Sequence, residues 1–232
     1  ELIRFVSSHE IGHTLGLPHN FGSSYAYPVD SLRSKTFTDK YATAPSIMDY
    51  ARFNYIAQPG DGVTRMFPSI GEYDKWAVKW GYSWFPGNLT AQQEKDKLDV
   101  WVKEKAGNPL YFYGRQGNQY DPRDQSEDLG DNAMKASTYG IANLKRILPN
   151  IEKWTFEAGK DYSNLGELYS EVIGQFNRYM GHVTFNIGGL SENFKTYDQA
   201  GVVYKYVPKS QQKEAVAFLN QQLFTSPLWL MN

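Results

Sequence analysis

Between positions 9 and 19 the chain carries four side chains whose types and spacing suit them to hold and use a metal ion. His9 and His13 are four residues apart, so on a helix turning about 100° per residue they lie one turn above each other and can grip one ion. Glu10 sits beside them. Gly16 can take the positive φ that turns the chain back, and Pro18 firms the exit. His19 can then approach the same ion from a second direction. Three neutral imidazoles at about 2.0–2.1 Å suit zinc, and the open fourth position marks a catalytic rather than a structural site. Zinc lowers the pKa of its water from about 15.7 to roughly 7. Glu10 would take the proton as that water attacks a carbonyl and hand it to the departing amine.

A bare H-E-x-x-H arises by chance, and paired helical histidines are often only polar packing residues. Here the longer pattern H-E-x-x-H-x-x-G-x-x-H is present, and SIMDY follows at positions 46–50, a tight turn that places Met48 beneath the metal. The two motifs resemble the metzincin clan of zinc peptidases. HTLGLPHNFGSS and SIMDYARFNYIAQPGD resemble the bacterial family called Met-zincin. That resemblance, carried by roughly the first quarter of the chain, implies a zinc-dependent metalloendopeptidase. His9, His13 and His19 would be the ligands, Glu10 the catalytic base, Met48 the Met-turn residue and Tyr50 a tyrosine that reaches toward the zinc and the oxyanion. It also implies a peptide or protein substrate and an upstream sheet subdomain whose edge pairs with that substrate. The chain would then be a fragment of a bacterial protein that is exported to the periplasm, the outer membrane or the medium.

Helices must position these residues. ELIRFVSSHE has helical periodicity from its first residues, with Leu2, Phe5, Val6, His9 and His13 along one side and no Ser, Thr, Asp or Asn cap before it. Residues 21–45 lack periodicity and read as a loop across the cleft floor, where Tyr25, Tyr27 and Asp30 could help to form a substrate wall or a small ion site, with ordinary loop packing favoured. After the Met-turn, Arg52, Asn54 and Tyr55 either line the primed side of the cleft or buttress the turn, and Pro-Gly-Asp-Gly at 59–62 makes a further turn.

Residues 1–68 would form the active-site region and 69–232 a helical C-terminal subdomain. Its first helix opens with Ser69 as cap and Glu72 three residues on, and Tyr73, Trp76, Ala77 and Trp80 make its core stripe. In the next helix Leu98, Trp101 and Val102 face inward. Residues 114–131 form an acidic loop in which Asp121, Asp124, Glu127, Asp128 and Asp131 could gather calcium, although the spacing is not that of an EF-hand and an exposed loop is favoured. Asp131 or Asn132 caps a helix broken at Pro149, and a long helix runs from Asn164 to about Met180. HVTFNIGG and GVVYKYVP read as strands of a β-ribbon near 183–207, with His182 a hydrogen-bonded residue rather than a ligand. Pro208 starts an amphipathic last helix, and the apolar SPLWLMN would dock. The expected fold is therefore mainly α with a small β-ribbon.

Composition is that of a globular unit with a sizeable core, 41% hydrophobic residues. A net charge of −1 gives no electrostatic reason to expect nucleic acid or an anionic membrane. No apolar run is long enough to span a bilayer. Without cysteine there is neither a disulfide nor thiol catalysis. Asn88-Leu89-Thr90 fits a glycosylation acceptor but has no weight in a chain resembling bacterial proteins. Two other functions fit the same residues less closely. One is a zinc amidase acting on cell-wall or glycan-linked amides. The other is a non-catalytic helical interaction domain, against which the intact Glu10 argues.

Overall fold

The amphipathic stripes foreseen along the second half of the chain assemble as a helical core in a computed structural model that describes residues 1–115 and 120–231. In chain order the helices are α1 (Leu2–Thr14), α2 (Lys35–Tyr41), α3 (Glu72–Tyr82), α4 (Ala91–Lys105), α5 (Ala133–Ile147), α6 (Ile151–Thr155), α7 (Ser163–Thr184) and α8 (Lys209–Leu219). One antiparallel ribbon pairs β1 (Leu190–Glu192) with β2 (Tyr204–Tyr206). The architecture is mainly α.

Helices α5, α7 and α8 supply the centre of the core. Met134, Ile141 and Leu144 of α5 meet Val172, Phe176, Tyr179 and Val183 of α7, and Ala215, Phe218 and Leu219 of α8 close the group. Full burial stabilises each large apolar side chain by about 1.5–3 kcal/mol. Val29, Leu32, Tyr55 and Ile56 belong to the same cluster, so the chain on either side of the Met-turn is anchored on this core. A bidentate pair from Arg33 to Asp61, at 2.8 and 2.7 Å, ties the Pro-Gly-Asp-Gly turn back to residues 29–33. Its Arg33 guanidinium also lies over the Tyr139 ring of α5.

Several expectations change. The break at Pro149 is where it was expected, with a 3₁₀ turn at Leu148–Asn150 between α5 and α6, and the Asn132 side chain caps α5 by accepting from Lys135 N–H at 2.9 Å. The α3 cap is Gly71 rather than Ser69, and Asp74 rather than Glu72 reaches back to it, its carboxylate accepting Gly71 N–H at 2.8 Å. Tyr73, Trp76 and Ala77 are only half-buried and Trp80 is exposed, so that stripe covers a surface rather than filling a core. Val102 of α4 likewise faces solvent. Residues 21–45 are not all loop, because Ser34 accepts Phe37 N–H and caps α2. Helix α7 runs on through His182 to Thr184, so HVTFNIGG is not a strand and β1 begins only at Leu190. Apolar residues there continued the helical stripe, and a short segment could not separate the two periods. The C-terminus docks in part: Leu230 is buried and Trp229 packs edge-on against Phe176, while Leu228 and Met231 are exposed.

The acidic segment is the largest correction. Residues 116–119 lie outside the described residues, but Asp121, Asp124 and Asp128 are buried rather than solvated. Asp121 accepts from Arg123, Asp131 accepts Val29 N–H, Glu127 pairs with two arginines and Asp128 accepts from Ser24 Oγ at 3.5 Å, while both carboxylate oxygens of buried Asp124 have no hydrogen-bond partner. Among the described residues no three of these acids bring their oxygens within 4.8 Å of one another, as a calcium shell would. Helix α1 is also turned differently than expected. Phe5, His9 and Gly12 form its buried face, and Leu2, Ile3, Val6, Ile11 and Leu15 are exposed.

Candidate metal centre

The His9–His13 spacing needs a continuous helix, and α1 supplies one to Thr14. Gly16 then adopts φ +80°, a region open to glycine at little cost, and Leu17 N–H bonds back to Gly12 carbonyl at 3.1 Å. This reversal brings His19 to the two helical histidines. Ring nitrogens of His9, His13 and His19 all lie within 4.8 Å of one another, the one such set of three acidic or imidazole groups among the described residues.

Carbonyl oxygens fix how two of these rings present themselves. Nδ1 of His9 lies 2.8 Å from Ile47 O, and Nδ1 of His13 lies 2.9 Å from Leu17 O. A carbonyl only accepts, so each Nδ1 carries the proton and each Nε2 turns a bare lone pair inward. The buried His9 Nε2 has no protein partner, and His13 Nε2 stands 3.1 Å from His19 Nε2. Burial, above all, holds the His9 imidazole below the usual histidine range, which favours the neutral, ligating form. An inward-facing cluster of lone pairs with an unpartnered buried nitrogen fits a divalent cation of the zinc type.

The Met-turn lies against α1 as expected. Met48 is buried, and a Cβ at Gly12 would come within 2.3 Å of its sulfur, so the absence of a side chain at position 12 makes room for the methionine. Asp74 locks the turn from the other side. Its carboxylate accepts Ser46 Oγ at 2.6 Å and Ile47 N–H at 2.8 Å, while Met48 N–H donates to Ser46 Oγ. The Ile47 carbonyl that orients His9 is thus held by α3. Asn20 joins the segment carrying His19 to the same turn: its N–H donates to Met48 O at 3.0 Å, and its side chain bridges Phe112 O and Gly114 N–H. Sequence reasoning missed Gly12, Asn20 and Asp74. Gly12 and Asn20 lie inside or beside the histidine motif, where their positions were the available signal; Asp74 had none beyond being an acid in a first helical turn.

Glu10 is exposed on α1 next to buried His9, and its charge is felt at that imidazole. The Tyr50 ring packs 4.5 Å from His19 and 5.2 Å from His9, with Phe21 against both His19 and Tyr50. Tyr50 therefore belongs to the site. Tyr27 and Asp30 do not, and half-buried Tyr25 lies within the electrostatic reach of Arg123. Tyr27 is buried in the core cluster and Asp30 pairs with Lys135. Asn54 and Tyr55 buttress, since Asn54 bonds Leu32 O, Ile56 N–H and Ala57 N–H, and the Tyr55 hydroxyl accepts from Leu129 N–H. His182 is buried with Nε2 on Ser126 O at 2.9 Å, a packing histidine as expected.

Two helical imidazoles, a third returned by a glycine turn and a methionine packed into the gap left by Gly12 are the arrangement of a metzincin-type zinc peptidase site. The chain belongs to the Met-zincin family, whose profile matches residues 1–232. No match was found among curated proteins, nor among solved structures.

Proposed function

We propose that this chain carries the catalytic centre of a zinc-dependent metalloendopeptidase, with Glu10 as its general base. One arrangement supports this above all: three ring nitrogens within 4.8 Å, two of them aligned by carbonyls, with a solvent-exposed carboxylate beside the first. Zinc held by His9, His13 and His19 would supply a Lewis acid and a water of lowered pKa. Glu10 accepts the proton of the attacking water on a carboxylate oxygen and returns it to the nitrogen of the departing amine. Tyr50 donates its hydroxyl hydrogen to the carbonyl oxygen as negative charge builds there. Met48, Asp74 and Asn20 act through the ligands by keeping the imidazoles in register. The exposed apolar face of α1 is where the upstream sheet subdomain implied by the resemblance would lie, and export of the enzyme rests on that same resemblance.

The test is to incubate the zinc-loaded protein with an unfolded protein and, separately, with peptidoglycan. Fragmentation of the unfolded protein, abolished by Glu10→Gln while zinc is retained, is the expected result. Release from peptidoglycan alone would make the enzyme a cell-wall amidase. Hydrolysis of neither by the zinc-bound protein contradicts a hydrolytic role.

A further inference from the structure

Arg52 lies two residues beyond Tyr50, and its guanidinium carbon is 6.0 Å from the centre of the Tyr50 ring. That ring contacts two of the three imidazoles, so the arginine is the next layer out from the metal centre. Its Nη2 pairs with Glu127 Oε1 at 2.9 Å, and the other oxygen of Glu127 pairs with Arg178 of α7 at 3.0 Å. Two guanidinium groups thus share one carboxylate, and the trio keeps a net positive charge. Glu127 is well covered, but more than half of the Arg52 side chain is open to solvent. A guanidinium has five N–H donors, so one contact to Glu127 leaves the opposite edge available.

Local backbone costs show that this placement is not incidental. Arg52 has φ +40° and Glu127 φ +66°, left-handed conformations that non-glycine residues avoid. Such strain persists where the surroundings enforce it, most often at binding sites. Neutralising Glu127 does not require it, because Arg178 already does so from a regular helix. What the strained pair adds is a second, outward-facing guanidinium over Tyr50.

Building on the peptidase reading, we infer that Arg52 is a substrate-binding residue that recognises a carboxylate of the peptide close to the scissile bond, so that the enzyme favours substrates acidic at that position. The planar fork matches a carboxylate edge to edge, and the charge-assisted pair discriminates against a neutral amide of the same shape. Glu127 and Arg178 hold the fork in place. The carboxylate is either an Asp or Glu side chain or the free C-terminus of a short peptide.

Binding can be measured without turnover in the zinc-loaded Glu10→Gln protein, using fluorescent peptides in three matched forms: Glu with an amidated C-terminus, Gln with an amidated C-terminus, and Gln with a free C-terminus. At one position relative to the bound centre, a carboxylate peptide should bind roughly tenfold more tightly than the neutral one. Which of the two does so identifies the side chain or the terminus as the recognised group. Adding Arg52→Gln should collapse the difference, and Arg52→Lys should restore part of it. Equal binding of all three peptides, a preference that survives Arg52→Gln, or an equal loss for every peptide would overturn the inference. Preferential binding by a protein that cleaves no peptide in its Glu10 form would contradict the peptidase reading and leave the Arg52 assignment standing.

Discussion

Glu10 and His9 are neighbours in sequence with opposite environments, one exposed and one buried, and this division suits them to the two roles proposed for them. A buried neutral imidazole ligates; an exposed carboxylate can trade protons with solvent between turnovers. Glu10→Gln should therefore leave zinc content unchanged and lower kcat by about 10²–10⁴-fold, the usual worth of a general base. A variant that keeps wild-type turnover would remove Glu10 from the reaction. A second group lies outside the metal centre. Burial, and then the neighbouring Asp121, push the Asp124 carboxyl up to about 7, against about 3.9 in an unfolded chain. The folded state therefore binds this proton more tightly, so its stabilising contribution is complete below about pH 4 and is lost as pH rises through about 7. His182 has the opposite sign: burial pushes it down to about 4, so its contribution is present above about pH 6.5 and lost as pH falls. A difference measurement isolates Asp124. Relative to wild type, Asp124→Asn should gain stability between about pH 5 and pH 8 in urea unfolding, and a difference that stays flat across that range would contradict the assignment.

At the level of elements, the centre is a three-way joint between α1, the Met-turn and the start of α3. Sequence patterns marked the chemistry-bearing side chains of two of these parts, because each needs its residue types in a fixed local order: the helical i, i+4 histidines with the glycine reversal, and the turn carrying Met48, though not Gly12, whose missing side chain lets the two pack. The third part was invisible. Asp74 reaches Ser46 and Ile47 across more than twenty residues, and no local spacing encodes a long-range hydrogen bond. Cutting it tests the joint. Asp74→Ala would leave buried Ile47 N–H and Ser46 Oγ without an acceptor, costing about 2–4 kcal/mol of stability. It would also loosen the carbonyl that orients His9, and outer-layer partners of this kind contribute about 10–100-fold to metal affinity. Competition against a chelator should show weaker zinc binding in the variant, while wild-type affinity would mean that the Met-turn holds without α3. The same distinction explains the errors elsewhere. Polarity placed the acidic loop on the surface, but Asp121 is buried by its bond to Arg123 and to Glu192 N–H, partners that charge patterning alone cannot supply. At 182–184 the alternation was too short to decide between helix and strand, and continuation of α7 prevailed.

For the whole molecule, one helical core serves as the anvil for the metal centre. Stripes at helical spacing identified α5, α7 and α8 because burial against one another demands that spacing. They did not show that Val29, Leu32, Tyr55 and Ile56 join the same cluster, which fixes the segments flanking the Met-turn against the helices. Nor did they reveal that α3 and α4 stay largely at the surface, where amphipathic aromatic residues imitate a core stripe. Everything proposed about catalysis depends on three imidazoles from two directions closing on one ion. The most direct measurement is metal content by mass spectrometry of the purified protein and of His13→Ala, paired with X-ray absorption at the zinc edge. One zinc per wild-type chain, bound by three imidazole nitrogens at about 2.0–2.1 Å and lost in the variant, is the predicted result. Full zinc occupancy in His13→Ala, or a wild-type protein that takes up no zinc when it is supplied, would contradict it.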